Sequence, residues 1–135
     1  MIQLLLTQIA KLKKAVSSIN SNIANIAQGE AIIFTIASGV SSLFSLKTNA
    51  SRKYGNLGVY SLRVHTLATV SAGERQLGSV NRSPSGACCG AIILTSNTSQ
   101  VGTFNIANSN VWINLTTQVA DGSDLILSAS CDCST

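Results

Sequence analysis

An unbroken heptad seam occupies the N-terminal part of this chain. Ile2, Leu5, Ile9, Leu12, Val16, Ile19, Ile23 and Ile26 recur at alternating spacings of three and four residues. Apolar residues at this spacing lie on one narrow stripe of an α-helix, the a and d positions of a coiled coil. Positions b, c and f are mostly polar, among them Gln3, Lys11, Lys14, Ser17, Ser18, Ser21, Asn25 and Gln28. Gly29 follows the last d residue, where helices favour glycine at their C-terminal end. The spacing therefore predicts a helix over residues 1–28, and a strict a/d stripe suits packing against copies of itself better than packing on a broad core. The competing expectation is an amphipathic helix folded back on its own domain. Isoleucine at both a and d in the second half, together with Leu6, Ala15 and Ala27 at flanking positions, favours three strands over two. The e and g positions carry no opposite charges, so charge does not select a foreign partner helix.

Beyond Gly29 the period falls to two. Ala31–Ala37, Val40–Lys47, Leu57–Val70, Arg75–Val80, Cys88–Thr95, Val101–Ile106, Val111–Val119 and Asp124–Ser130 read as strands. In the third, Tyr60, Leu62, Val64, Thr66, Ala68 and Val70 share one face while Ser61, Arg63, His65 and Thr69 share the other. Turn-forming pairs separate these runs, including Ser38-Gly39, Gly55-Asn56, Ala72-Gly73, Ser85-Gly86 and Asp121-Gly122. About eight short antiparallel strands with turns this frequent predict a β-sandwich or jelly-roll head over residues 29–135. The chain thus reads as mainly β, an N-terminal α-helical coiled coil followed by an antiparallel β-sandwich or jelly-roll head, and as a homotrimer by the choice of seam residues.

Composition narrows the function. Only 10% of the residues are charged, and the net charge is +4. Ser, Thr and Asn number 20, 11 and 11, so neutral hydrogen-bonding groups supply the polarity. No apolar run approaches the roughly 18 residues of a membrane-spanning helix, and no membrane insertion is expected. The lysines Lys11, Lys13 and Lys14 follow the apolar start instead of preceding it, the reverse of a secretory signal. Nucleic-acid binding is not expected either, because the only compact basic and aromatic element of the head is Arg52-Lys53-Tyr54 and a phosphate track needs more cations.

Catalytic chemistry has little material. His65 is the single histidine, no G-x-S-x-G element is present, and no acid lies near His65 in sequence. The five acids show no pair spaced for glycoside hydrolysis, and Asp121-Gly122-Ser123-Asp124 reads as a hairpin turn instead of a calcium loop. No enzyme activity, cofactor or metal is expected. Cys88-Cys89 and Cys131-x-Cys133 depart from the spacing of zinc ligands. Disulfides between the two pairs are an alternative, but the preferred reading is buried small residues and free thiols. The polar segments 81–86, 97–100 and 107–110 suit a neutral carbohydrate, with Arg82, Asn97, Asn108 and Asn110 as candidate ligand residues and Tyr60 and Trp112 as aromatic faces. Trp112 is nevertheless expected in the core.

A heptad coil from Ile2 to Ile26 leading directly into a charge-poor β-head resembles the small trimeric fibre and appendage proteins of bacteriophages, and the ending Asp121–Ser128 is similar to their terminal strands. The resemblance implies a virion structural protein, assembled in the host cytoplasm. Its partners would be itself as a homotrimer, other virion proteins through the N-terminal helix, and carbohydrate on the host surface. The same layout is similar to secreted trimers of the tumour necrosis factor and C1q-like class, and to a purely structural virion connector.

Overall fold

The computed structural model describes residues 2–133, with the side chains of residues 22 and 24–28 outside the description. The seam residue Ile26 is therefore placed on the helix backbone only.

Helix α1 runs from Ile2 to Gln28, about 40 Å at 1.5 Å per residue. Gly29 ends it in the left-handed region at φ 71°. A side chain there would be strained twice over, since a Cβ would stand 2.7 Å from the Tyr54 ring. Arg52 Nη2 donates to the Gly29 carbonyl at 3.1 Å, so the basic element of the head caps the helix exit. The helix does not fold back on its own domain, and its main contact with the head is at Arg52–Tyr54. Every described seam residue is exposed, from 41% at Ile9 to 76% at Ile2.

Among the described residues the head contains ten strands: β1 (Glu30–Ala31), β2 (Phe34–Ile36), β3 (Phe44–Asn49), β4 (Arg52–Tyr54), β5 (Leu57–Thr66), β6 (Gly73–Val80), β7 (Cys88–Leu94), β8 (Gln100–Ala107), β9 (Asn110–Leu115) and β10 (Asp124–Asp132). They form one antiparallel sheet in the order β1-β4-β5-β10-β7-β8-β9-β6-β2, with β3 also paired to β5. Strands β7, β8 and β9 make a meander and β10 returns beside β7, a Greek-key order. A 3₁₀ turn at Ser38–Val40 joins β2 to β3 and brings the two limits of the sheet together. The sheet thereby curls around a single core.

Alternation explains that core. Tyr60, Leu62, Val64 and Thr66 of β5 face inward with Val111, Ile113 and Leu115 of β9 and Leu125 and Leu127 of β10, all buried. Two departures from the sequence reading have local causes. The run expected as one strand over Ala31–Ala37 divides, because β1 pairs with β4 whereas β2 pairs with β6 on the other side of the sheet. The strand expected to reach Val70 stops at Thr66, whose Oγ1 donates to the Ala120 carbonyl at 2.8 Å and whose backbone N–H donates to the Ser123 carbonyl. Val70 then joins Val119 in an isolated bridge.

Strand directions give the head two distinct ends. The connections at 55–56, 81–87 and 108–109 lie at the helix end, together with the attachment of α1. Those at 37–43, 67–72, 95–99 and 116–123 lie at the far end. The far-end segments are rich in Ser and Thr, and Asp121 is their only charged residue.

Candidate functional site

The four residues proposed from sequence as ligand contacts do not converge. Arg82, Asn108 and Asn110 lie at the helix end, while Asn97 lies in the turn at the opposite end of β8. Each has a local role. Arg82 pairs with the Glu30 carboxylate beside the start of the sheet, and this pairing holds the Glu30 carboxyl below its ordinary range. Asn108 and Ser109 occupy left-handed conformations, φ 50° and 69°, as a two-residue hairpin of type I′ requires. Asn110 Oδ1 accepts from Gln76 Nε2 at 3.2 Å. Asn97 Oδ1 accepts from the Ser99 amide at 3.1 Å and the Ser99 hydroxyl at 2.6 Å, closing an Asx-type turn.

Two groupings lie on the outer surface, and the sequence reading assembled neither, although it singled out His65 and Trp112 individually. The first centres on Asp124, at the start of β10 and only 15% exposed. Lys47 Nζ reaches its Oδ2 at 2.8 Å, Arg63 Nη2 reaches the same oxygen at 3.1 Å, and His65 Nδ1 lies 2.7 Å from Oδ1. Pairing places Asp124 directly opposite His65 on β5, so an acid does accompany this histidine, contrary to the sequence expectation. The hydrogen bonds from Lys47 and His65 hold the Asp124 carboxyl well below the usual carboxylate range. Lys47 and Arg63 pair with the Asp124 carboxylate and His65 hydrogen-bonds to it, so the cluster ties β3, β5 and β10 together.

The second grouping surrounds Trp112. Its expected place in the core is not what the fold gives: Val111 and Ile113 on either side take the inward positions, and Trp112 points outward with 38% of its surface exposed. Asn105 of β8 and Gln76 of β6 stand directly across from it on its two flanks. Thr103 and Glu74 flank Asn114, two residues along the same strand. Glu74, Thr103, Asn105, Trp112 and Asn114, with Cys89 and Ala107, border an open cleft of about 520 Å³ that also touches Phe104 and Ile113, whereas Gln76 does not line it. Tyr60, the other aromatic proposed as a stacking face, is fully buried. Its hydroxyl donates to the Arg82 carbonyl at 2.9 Å and lies 3.1 Å from Cys133 Sγ. Burial, reinforced by the thiol, pushes the Tyr60 phenol upward.

The cysteines also differ from the preferred reading. Cys88 and Cys131 form a disulfide between β7 and β10, with Cα atoms 5.9 Å apart. Cys89 is a free thiol on the outer face and Cys133 is a buried one. Among the described residues, no group of three or more His, Cys, Asp or Glu side chains is placed to hold a metal ion. Nor is any described helix long and apolar enough to cross a membrane. Comparison of the chain with protein families, with curated proteins and with solved structures finds no match.

Proposed function

We propose that this chain is the protomer of a homotrimeric appendage, with α1 as a three-stranded coiled-coil shaft and the curled sheet as a jelly-roll-like head that adheres to a surface. The observation that carries the reading is the exposed seam of α1. Seven large aliphatic side chains at heptad spacing, from Ile2 to Ile23, are left in water by a single chain. Each such side chain moved into a bundle interior contributes about 1.5–3 kcal/mol, enough together to offset the entropy of association. Chains joined this way in parallel carry their heads at one end, and the Ser- and Thr-rich far-end loops point away from the shaft. Three weak polar sites on one axis bind a surface far more tightly than one does alone. The arrangement resembles a small bacteriophage fibre built in the host cytoplasm and carried on the virion.

A second reading, in which the appendage also plugs into another virion protein, draws on the first turns of the helix. Leu4 and Leu6 lie off the seam at c and e positions and are 64% and 59% exposed. A trimeric bundle leaves Leu4 on its outside, so this tip is apolar around more than one face.

Light scattering tests the assembly. Wild-type protein gives a mass three times 14.0 kDa, and the Ile9→Asp/Ile19→Asp variant gives the monomer with the head still folded. A wild-type monomer at micromolar concentration would overturn the proposal.

A further inference from the structure

We infer that the cleft around Trp112 binds a neutral saccharide, a site that deepens the adhesive reading above by naming where a glycan would sit and what holds it. Alternate side chains of β6, β8 and β9 point outward. Trp112 is the one large apolar group among them, and its neighbours across both strands are amides, Asn105 and Gln76. Asn114, Thr103 and Glu74 continue the polar border. A pyranose has the matching chemistry, with an apolar C–H face that lies on an aromatic ring and a rim of hydroxyls that both donate and accept. Amides supply both functions as well, and the hydroxyl of Thr103 and the carboxylate of Glu74 add one mixed group and one acceptor. A cleft of about 520 Å³ lies in the range of small-ligand sites.

The same features disfavour other occupants. A second copy of the head would need an apolar contact centre, with about 800 Å² buried on each partner, and this face offers one half-exposed ring set among polar groups. An anionic ligand would meet the Glu74 carboxylate at the border of the cleft.

Trp112 is the only tryptophan in the chain, so its fluorescence reports this site alone. Full-length protein is first quenched with acrylamide, then probed on an array of neutral glycans of glucose, galactose, mannose and N-acetylhexosamines, with sialylated glycans as controls. The proposal predicts ready quenching and retention on at least one neutral glycan. It also predicts a fluorescence titration with that glycan in free form at millimolar affinity or better. Trp112→Ala should abolish retention, and Asn105→Ala should weaken the titration at least about tenfold, 1.4 kcal/mol on the affinity scale. Both variants should keep the wild-type mass and melting transition. Trp112→Phe, which keeps a flat apolar face, should retain part of the binding.

Four outcomes would overturn the proposal: an indole shielded from acrylamide, no retention on any neutral glycan, retention on sialylated glycans only, or binding undiminished in Trp112→Ala. A monomer that still binds neutral glycan through Trp112 would refute the trimer and leave this site standing. A trimer that binds none would do the reverse.

Discussion

Reducing the Cys88–Cys131 disulfide should lower the stability of the head by an amount that follows from its position. The bond closes a loop with a sequence separation of 43 residues. The chain-entropy relation for that length gives a loss of about 13 cal/mol/K from the unfolded ensemble, or about 4 kcal/mol at 25 °C. In a domain of this size each kcal/mol moves the melting midpoint by roughly 4 °C, so complete reduction should lower Tm by up to about 15 °C. Trp112 lies in the head and α1 has no tryptophan, so its fluorescence follows head unfolding without interference from the helix. The assay compares melts with and without dithiothreitol, alongside thiol titration of denatured, unreduced protein. Two titrating thiols, from Cys89 and Cys133, are expected. Four thiols in the unreduced protein, or identical melts in the two conditions, would refute the reasoning.

Two further perturbations follow from individual contacts. Asp124→Asn removes the negative charge that Lys47, Arg63 and His65 surround and replaces one of its two acceptor oxygens by a donor, and it should destabilise the head at neutral pH. Because the folded carboxyl titrates below its ordinary value, the wild-type advantage is complete above the unfolded carboxylate range near pH 4 and declines as pH falls further. Parallel melts of the two proteins at pH 7, 4 and 2.5 check this, and an advantage that grows in acid would contradict it. Gly102→Ala should cost about 2–3 kcal/mol in urea unfolding, since its Cβ would press on the backbone carbonyl of Asn114 in the adjoining strand, which no rotamer change relieves. An unchanged urea midpoint would contradict that placement of β8 against β9.

Much of the architecture was legible because it depends on period alone. The heptads of Ile2–Ile23 define α1 and its stop at Gly29, and the alternation of Tyr60, Leu62, Val64 and Thr66 defines the inward face of β5. Trp112 was legible too. It shares parity with Asn114, while Val111, Ile113 and Leu115 hold the inward positions, and only the general tendency of large aromatics to be buried argued otherwise. Parity likewise puts Cys88 and Cys89 on opposite faces, but the pairing of Cys88 with Cys131 needs β7 and β10 to be neighbours, which no local pattern encodes. The same holds for Asp124, whose approach to His65 is set by strand register across 59 residues. Asn97 and Asn108 illustrate the converse: their residue type suits a ligand, yet the turns they build account for them.

The proposed trimer requires the seam of α1 to close between parallel copies of the chain. A nitroxide at Gln3→Cys in a Cys89→Ser background measures it directly by dipolar spectroscopy, because Gln3 lies at an outer heptad position near the helix tip. A parallel bundle holds the labels at one height, separated only by helices of about 10–12 Å diameter, and predicts a single short distance below about 30 Å. An antiparallel arrangement offsets the labels along the axis by about 36 Å at 1.5 Å per residue, and a lone helix gives no interchain distance. Either of the last two results would contradict the account.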